Sequence, residues 1–491
     1  MLASLRQLGK HSLIYGLGSM LAKLLAFLLL PLYTRYLTPT DYGVYSLLII
    51  TGAVAGILMQ LGFGSALFRE VIYQESEEST VISTSLYFLL AEVALFLALL
   101  LIFASQLSGL VFSTPDYAYL LRLTFIGAAL GVLDVLMMAK LRIHAKSTLF
   151  AALTVTKLLI AIALNILFIV VLRRGVEGLV MTNLIQAAFS ACVSLAILAR
   201  DLRPAFSMPI LQRLLTFGVP LIPFGLSTQV LTYADRYFLK YFSTATEVGL
   251  YSLGYNIGMV LNLLVSAVQL AWPAQMFAIA KQPNAERQIA RILTYYILFM
   301  GFVGLGLSVL AREVLKIMTT PSFYGAYVVV PLVSTSSILY GVMYMTNSGL
   351  ETRNKVKYMS AAIVISAILN LGLNRFLIPS YGMMGAAWAT FISYLALAAI
   401  QLAVNLHFWY IPYEYGRILR IVVTWGLIYV ASLFVHTQNT WLDAGLKLAL
   451  LATYPLVLYL LRFYNQDEIK ALQKMPKTLA GRIASGRGGL S

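Results

Sequence analysis

Four charged side chains lie inside long apolar runs of the sequence, where an ionised group is costly. Lys23 and Lys157 are cationic, whereas Glu92 and Asp134 are anionic. A charge near the middle of a bilayer costs about 2.5–3.5 kcal/mol or more, so it normally faces a cavity or an opposite charge. We therefore interpret the lysines as ligands for an anionic group. The carboxylates are candidates for ion or proton coupling.

Each of these residues also has a structural interpretation. Glu92 is the obvious partner for either lysine in an internal ion pair, and Asp134 lies close to one end of its run, where water can solvate it. Asp235 and Arg236 lie near the end of a later run. They are further candidates for coupling, but we expect them to form an ion pair across a domain interface rather than to bind a ligand.

Small polar residues form stripes along several of the apolar runs. Ser12, Tyr15 and Ser19 are spaced by three or four residues from one another and from Lys23, so all four share one helical face. Two similar stripes occur later in the chain: Asn262, Ser266 and Gln269, and Ser366, Asn370 and Asn374. The stripes indicate a wet interior, although polar residues also bond membrane helices to one another.

The sequence contains no set of residues with catalytic or metal-binding spacing. The four histidines are scattered, and no two have the spacing of metal ligands: His11, His144, His407 and His436. Cys192 is the only cysteine, and a phosphate-binding G-x-x-x-x-G-K-[S/T] loop is absent. We therefore expect no cofactor, no direct ATP hydrolysis and no enzymatic activity.

The composition assigns the chain to the membrane class. Of its 491 residues, 60% are hydrophobic and 11% are charged, whereas a soluble domain carries about 25% charged residues. The mean hydropathy is +0.84. The net charge of +16 does not indicate a nucleic-acid partner, because Lys and Arg lie between apolar runs and form no basic face with interleaved aromatic residues. The expected partner is the lipid bilayer.

Apolar runs long enough to cross a membrane recur along the whole chain and predict an all-α polytopic membrane protein. A crossing helix needs about 20 apolar residues. The first run exceeds the apolar core of a secretory signal, so we expect it to be retained. The predicted spans number about fourteen: 12–34, 42–67, 83–105, 117–139, 148–172, 179–199, 215–240, 249–280, 289–311, 326–350, 359–378, 385–405, 419–436 and 443–463. The eighth is long enough to be tilted, or interrupted at Trp272-Pro273.

The distribution of Lys and Arg predicts the orientation of these spans. The loops on the side of the N-terminus carry 23 of the 35 basic residues and the opposite loops carry 10, with Lys23 and Lys157 inside spans. Because cytoplasmic loops carry the excess of Lys and Arg, both termini are expected in the cytoplasm.

The chain also contains an internal repeat. Two pairs of segments match, each at the entrance of a predicted helix: Asp41-Tyr-Gly43-Val-Tyr45-Ser46-Leu47 with Glu247-Val-Gly249-Leu-Tyr251-Ser252-Leu253, and Gly175-Val-Glu-Gly178 with Gly382-Met-Met-Gly385. The offsets are 206 and 207 residues. Six helices per repeat give both halves the same orientation, and parallel repeats of this kind are a transporter architecture.

Three stretches resemble the signatures of the polysaccharide flippases, which belong to the multidrug/oligosaccharidyl-lipid/polysaccharide exporter superfamily. They are Leu30-Pro31-Leu-Tyr-Thr-Arg35-Tyr-Leu-Thr-Pro39-Thr-Asp41-Tyr-Gly43, Asp235-Arg236-Tyr-Phe-Leu-Lys240-Tyr-Phe with Glu247-Val-Gly249-Leu-Tyr251, and Ile378-Pro379-Ser-Tyr381-Gly382-Met-Met-Gly385-Ala-Ala387-Trp-Ala389-Thr390. The resemblance covers about residues 5–465. It implies an O-antigen or other repeat-unit flippase acting on a polyprenyl-diphosphate-linked oligosaccharide, whose diphosphate Lys23 and Lys157 would attract.

Three other functions remain open on the sequence. A multidrug or organic-cation exporter of the same superfamily needs acidic groups in its cavity, whereas the first predicted helix offers Lys23 and no carboxylate. A peptidoglycan-precursor flippase would also carry a diphosphate lipid, so the charge of the predicted cavity does not distinguish it from an oligosaccharide flippase. A membrane-embedded glycosyltransferase or polymerase would need an acid/base or metal site in an extracytoplasmic loop, and the predicted loops are short.

The predicted organisation has two six-helix lobes and an additional helix pair. Residues 1–205 form the N-lobe and 206–410 the C-lobe, 411–465 contain the last two helices, and 466–491 form a basic cytoplasmic tail. The resemblance implies a location in the cytoplasmic membrane, with polysaccharide polymerase and chain-length machinery as possible partners.

Reporter fusions test the predicted orientation. Fusions after about residues 175, 245 and 380 should report an extracytoplasmic position, and fusions after about 145 and 355 a cytoplasmic one, because Lys and Arg are retained on the cytoplasmic side. A cytoplasmic signal at 245 would contradict the arrangement in two lobes.

Overall fold

The computed structural model describes residues 29–469, apart from 348–349, 352, 354, 438, and 467, and within these ranges it contains helices and no strand. The eighteen α-helices that it describes are α1 (Leu30–Tyr36), α2 (Pro39–Gln60), α3 (Phe63–Ile72), α4 (Glu78–Ile102), α5 (Ala104–Phe112), α6 (Ala118–Ile143), α7 (Ser147–Asn165), α8 (Gly175–Leu198), α9 (Met208–Gly218), α10 (Leu221–Phe242), α11 (Ala245–Gly258), α12 (Asn262–Ile279), α13 (Ala285–Met318), α14 (Val330–Thr346), α15 (Val356–Phe408), α16 (Tyr415–Leu433), α17 (Thr440–Ala452) and α18 (Tyr454–Leu460).

Twelve helical segments within the described residues are long and apolar enough to cross a membrane. One of them, Lys357–Phe408, has 52 residues, more than twice the length that a crossing requires. It departs from helical geometry at Gly382, with φ 52° and ψ −132°. Its two arms correspond to the predicted spans 359–378 and 385–405. Most of the first predicted span, with Lys23, lies outside the described residues, so the count of fourteen stays a prediction.

Two helix breaks differ from the sequence-based expectation. The predicted span 42–67 is divided between α2 and α3, because Leu61 and Gly62 both adopt positive φ angles of 46° and 70°. The predicted interruption at Trp272-Pro273 is wrong: Pro273 lies inside α12. The break between α11 and α12 is instead a short 3₁₀ turn at Met259–Leu261. A proline within a helix removes one backbone donor but need not end the helix.

The first pair of repeated segments forms the start of two helices. At α2, the Thr38 hydroxyl accepts a hydrogen bond from the backbone N–H of Asp41 at 3.2 Å, and the Asp41 carboxylate accepts one from the backbone N–H of Thr38 at 3.0 Å. At α11, the Thr244 hydroxyl accepts from the backbone N–H of Glu247 at 3.2 Å. The repeated acidic residue therefore lies in the first turn of each helix, where its negative charge interacts favourably with the helix dipole.

These two helices lie against each other through their glycines. A Cβ atom on Gly43 would lie 2.0 Å from the carbonyl oxygen of Ala245, and one on Gly249 would lie 1.8 Å from that of Pro39. Adding 206 to Pro39 and Gly43 gives Ala245 and Gly249, so the two contacts are reciprocal. Reciprocal contacts are the geometry of a two-fold axis.

Paired hydroxyls extend the same contact. The Thr40 and Thr246 hydroxyl oxygens are 2.8 Å apart, and those of Ser46 and Ser252 are 2.9 Å apart; both pairs are 206 residues apart in the chain. Each hydroxyl thus meets its counterpart in the other repeated segment.

The second pair of repeated segments has a matching backbone conformation. Gly175 and Gly382 have φ angles of 56° and 52°, a region that glycine enters without the steric cost of a Cβ atom. Three residues later, a Cβ atom on Gly178 would lie 2.9 Å from the Cβ atom of Phe168, and one on Gly385 would lie 2.4 Å from the backbone oxygen of Leu377. Both glycines therefore let a helix pack closely against the segment before it.

Two further regions attach the remaining helices. The amphipathic helix α9, which connects the two halves, packs Ile210, Leu211 and Leu214 into the hydrophobic core of the first half. The last helices, α16 to α18, pack against α13. Lys447 in α17 donates a hydrogen bond to Glu313 in α13 at 2.8 Å, and both side chains are buried. The final pair of spans is therefore fixed to the second half.

Candidate functional site

A cavity of about 410 Å³ lies beside the contact between α2 and α11. It is bounded by α1 and the start of α2 on one side, and by α10, α11 and α12 on the other. Its lining residues are mainly tyrosine, amide and apolar side chains: Leu30, Tyr33, Tyr42, Thr232, Tyr233, Tyr255, Asn256, Met259, Val260, Asn262 and Leu263. No carboxylate occurs among them, so this described lining offers nothing to hold an organic cation by charge.

The polar groups of this cavity are only partly paired. The Asn256 amide donates a hydrogen bond to the Tyr42 hydroxyl at 2.9 Å and so joins the two halves. The Tyr255 hydroxyl and the Asn262 amide oxygen are buried without a hydrogen-bond partner among the described residues. A buried polar group left unpaired costs about 1–3 kcal/mol. These two groups would therefore gain from a ligand that supplies hydroxyls or amides.

Asp235 and Arg236 lie behind the cavity wall and do not line it. Both side chains are 1% exposed, and Arg236 donates a hydrogen bond to Asp235 at 2.9 Å. The Tyr251 hydroxyl and the Thr390 hydroxyl also donate to the Asp235 carboxylate. The Arg236 guanidinium further donates to Ser252 at 3.1 Å. Three hydroxyls, two on α11 and one on α15, thus bond to the pair.

The Arg236 guanidinium also contacts three tyrosine rings. It lies 4.2 Å from the ring centroid of Tyr255, 5.0 Å from that of Tyr233 and 5.2 Å from that of Tyr251. Cation–π contacts at such distances are worth about 0.5–2 kcal/mol each. Because Tyr233 and Tyr255 line the cavity, Arg236 holds the cavity wall in place.

The charged residues of the first half form a different set of contacts from the one expected. Lys157 pairs with Asp134, not with Glu92, and the Lys157 ammonium lies 3.0 Å from the Asp134 carboxylate. The Ser190 hydroxyl donates to the same carboxylate at 2.6 Å. One Glu92 carboxylate oxygen is buried without a hydrogen-bond partner in the described part of the chain. Lys23 lies outside the described residues.

The tyrosines of the cavity were not identified from the sequence. Two signals pointed to them: Tyr42 lies within the repeated segment, and Tyr255 follows Tyr251 by four residues, on the same helical face. Tyrosine is also common in buried cores, with 30 residues in this chain. Neither signal therefore separated a ligand-binding role from a packing role.

The buried pair predicts a large loss of stability when one partner is removed. Arg236→Ala leaves the Asp235 carboxylate buried without its counter-ion, which costs about 3–5 kcal/mol. We expect the thermal midpoint of the purified protein and its abundance in the membrane to fall sharply. Arg122→Ala, at an exposed position, is the matched control and should change neither. An unchanged midpoint for Arg236→Ala would contradict this role.

Comparison with solved structures shows the fold. A lipid II flippase, MurJ, in an inward closed conformation, aligns with a TM-score of 0.68 and 14% sequence identity over 91% of this chain and 99% of that chain. A multidrug resistance transporter of the MATE family, MOP superfamily, in an inward-facing conformation, aligns with a TM-score of 0.61 and 16% identity over 84% of this chain and 96% of that chain. At such identities the likeness concerns the fold alone.

Sequence comparison indicates the family. A protein of Shigella flexneri named as an O-antigen transporter is 23% identical over 398 residues, 77% of this chain and 93% of the relative. A protein of Haloferax volcanii named as a low-salt glycan biosynthesis flippase is 27% identical over 190 residues, and the match spans 38% of this chain and 40% of that relative. A model of the polysaccharide biosynthesis protein family matches residues 8–273. The chain therefore belongs to the polysaccharide biosynthesis protein family.

Proposed function

We propose that the protein moves a polyprenyl-diphosphate-linked oligosaccharide from the cytoplasmic to the outer leaflet by alternating access. The observation that carries this proposal is the cavity between the repeated helices, lined by tyrosine and amide side chains and by no described carboxylate. Its position beside the contact of the two halves is where a transporter with parallel repeats places its substrate path.

The chemistry of the cavity lining supports a glycan over an organic cation. A sugar presents hydroxyls and apolar ring faces, which match the unpaired polar atoms of Tyr255 and Asn262 and the faces of the tyrosine rings. Buried negative charge, which would replace the hydration of an organic cation, is absent from this described lining. The buried carboxylate of Asp235 is neutralised by Arg236 behind the wall.

The contact between α2 and α11 supports alternating access. It closes the path on the side where the two helices begin, which the distribution of Lys and Arg assigns to the exterior. The hydroxyl pairs Thr40–Thr246 and Ser46–Ser252 link the helices there, and such pairs are worth only about 0.5–1.5 kcal/mol each. A rocking motion of the two halves could therefore separate them.

The charged residues of the first half are proposed to meet the diphosphate and to couple transport to an ion. Lys23 would bind the diphosphate as a point charge. Lys157 would do so when its ion pair with Asp134 opens, so Asp134 is proposed to couple substrate binding to an ion. Glu92, with one carboxylate oxygen unpaired among the described residues, is the second coupling candidate.

The proposed setting is the cytoplasmic membrane, with both termini in the cytoplasm. Translocation would deliver glycan units to the outer leaflet, so polysaccharide polymerase and chain-length machinery are proposed as partners.

A cross-link between the halves tests the proposed function. In a Cys192→Ser background, Thr40→Cys/Thr246→Cys should form a disulfide on oxidation, because the two native hydroxyls touch at 2.8 Å. The closed side could then no longer open. Surface glycan in a strain whose own copy is deleted should be restored by the reduced variant and not by the oxidised one.

The matched control is Ser308→Cys/Ser334→Cys, whose native hydroxyls lie 3.0 Å apart within the second half. Its oxidation should leave glycan export intact, because the halves can still separate. Full export by a completely cross-linked Thr40→Cys/Thr246→Cys protein would refute alternating access at this contact. A deletion strain with unchanged surface glycan and no accumulated lipid-linked oligosaccharide would refute the substrate.

Substitutions of the lysines separate substrate binding from ion pairing. Lys23→Ala and Lys23→Glu should abolish glycan export, whereas Lys23→Arg should retain much of it, because a phosphate accepts either cation. Lys157→Ala should also lower export. If Lys157 only neutralises Asp134, the double variant Lys157→Ala/Asp134→Ala will recover both membrane abundance and export. Such recovery would eliminate Lys157 as a diphosphate ligand.

A further inference from the structure

A second and larger cavity, of about 790 Å³, lies at the opposite end of the first half from the contact of α2 and α11. It is formed between α3, the end of α6 and the end of α9. The residues lining it are Gly64, Ser65, Phe68, Arg69, Tyr73, Gln74, Arg142 and Phe217. Because it adjoins the loops after α3 and α6, which the distribution of Lys and Arg assigns to the cytoplasm, it lies at the cytoplasmic membrane surface.

The two arginines of this cavity differ from the basic residues around them. Four of the neighbouring cations on the same face are paired with carboxylates: Lys140 with Asp201, Arg203 with Glu77, Arg213 with Glu70, and His144 with Glu78. Arg69 and Arg142 form no salt bridge with a carboxylate in the described part of the chain, although Glu70 follows Arg69 in the sequence. Both guanidinium groups thus keep donors available for an anion from outside.

Aromatic side chains form an apolar wall in this cavity. The Arg69 guanidinium lies over the ring of Phe217, 4.8 Å from its centroid. Stacking occupies the face of a guanidinium and leaves the N–H groups at its edge able to donate. Phe68 and Tyr73 are exposed and extend the apolar wall. The cavity therefore combines two cationic donors with a surface that can hold a hydrocarbon chain.

The wall of the cavity that α9 forms is fixed to the first half. Arg213 of α9 donates a hydrogen bond to Glu70 at 2.6 Å, and a Cβ atom on Gly62 would lie 2.4 Å from the carbonyl oxygen of Gly218. The position of Phe217 is therefore set by an ion pair on one side and by close backbone packing on the other. The cavity is a built feature of the fold and not a gap beside a loose helix.

We propose that this cavity binds the phosphate head of an amphiphilic lipid, with Arg69 and Arg142 holding the phosphate oxygens and the aromatic wall holding the start of the hydrocarbon chain. Two lipids share this chemistry: a prenyl diphosphate carrier and an acidic phospholipid of the bilayer. The site is distinct from the tyrosine-lined cavity, and the proposal does not depend on transport.

Binding to the full chain in nanodiscs of phosphatidylcholine tests the site. Farnesyl diphosphate is the probe, and its dissociation constant is measured by native mass spectrometry. Arg69→Ala and Arg142→Ala should each weaken binding about tenfold, the loss expected from one charge-assisted hydrogen bond. Arg287→Ala, an exposed arginine on the same face, is the matched control and should bind as the wild type does. Unchanged thermal midpoints show that the variants are folded.

Two competitors identify the source of the phosphate. Displacement of the probe by phosphatidylglycerol, with the same dependence on Arg69 and Arg142, would assign the site to bilayer phospholipid. Resistance to phosphatidylglycerol would assign it to the prenyl diphosphate carrier. Wild-type affinity in both arginine variants would overturn the proposal. Inorganic diphosphate that binds as tightly as the probe would also overturn it, because the apolar wall would then contribute nothing.

Discussion

The backbones of α2 and α11 touch at Gly43 and Gly249, with no room for a Cβ atom on either residue. This close approach brings Thr40 to Thr246 and Ser46 to Ser252. It also sets the distance between the Tyr42 hydroxyl and the Asn256 amide of α11, which donates a hydrogen bond to it. In lipid there is no hydrophobic force between helices, so close packing at small residues and hydrogen bonds between hydroxyls hold them together.

The buried pair of Asp235 and Arg236 depends on the same contact. Arg236 donates to Ser252, whose hydroxyl also meets Ser46 of the other half. Taking two charges out of water is repaid only when the remaining donors and acceptors are satisfied, and here Tyr251 and Thr390 complete the set around Asp235. The pair therefore works as a rigid support that orients tyrosine rings toward the cavity.

Charged residues have different roles in the interior of the first half and at its surface. Deep in the helices, Lys157 and Asp134 neutralise each other, because an isolated charge there has no water to solvate it. At the surface near α3 and the end of α6, most carboxylates are in salt bridges, and hydrogen bonds from Thr80 and Ser79 together with the neighbouring arginine lower the pKa of the exposed Glu77 carboxyl. Arg69 and Arg142, which form no salt bridge among the described residues, adjoin an apolar wall.

The sequence alone determined the membrane class, the positions of most spans and the two repeated segments. The membrane class and the spans follow from summed hydropathy. The repeated segments follow from local backbone conformation, such as the positive φ of Gly175 and Gly382, which depends mainly on neighbouring residues. Only the tertiary structure decided which charges pair and which aromatic residues line a cavity. The partner of Lys157 is Asp134 and not the expected Glu92. The sequence does not determine this choice, because the rotation of each helix about its axis depends on all the helices packed around it.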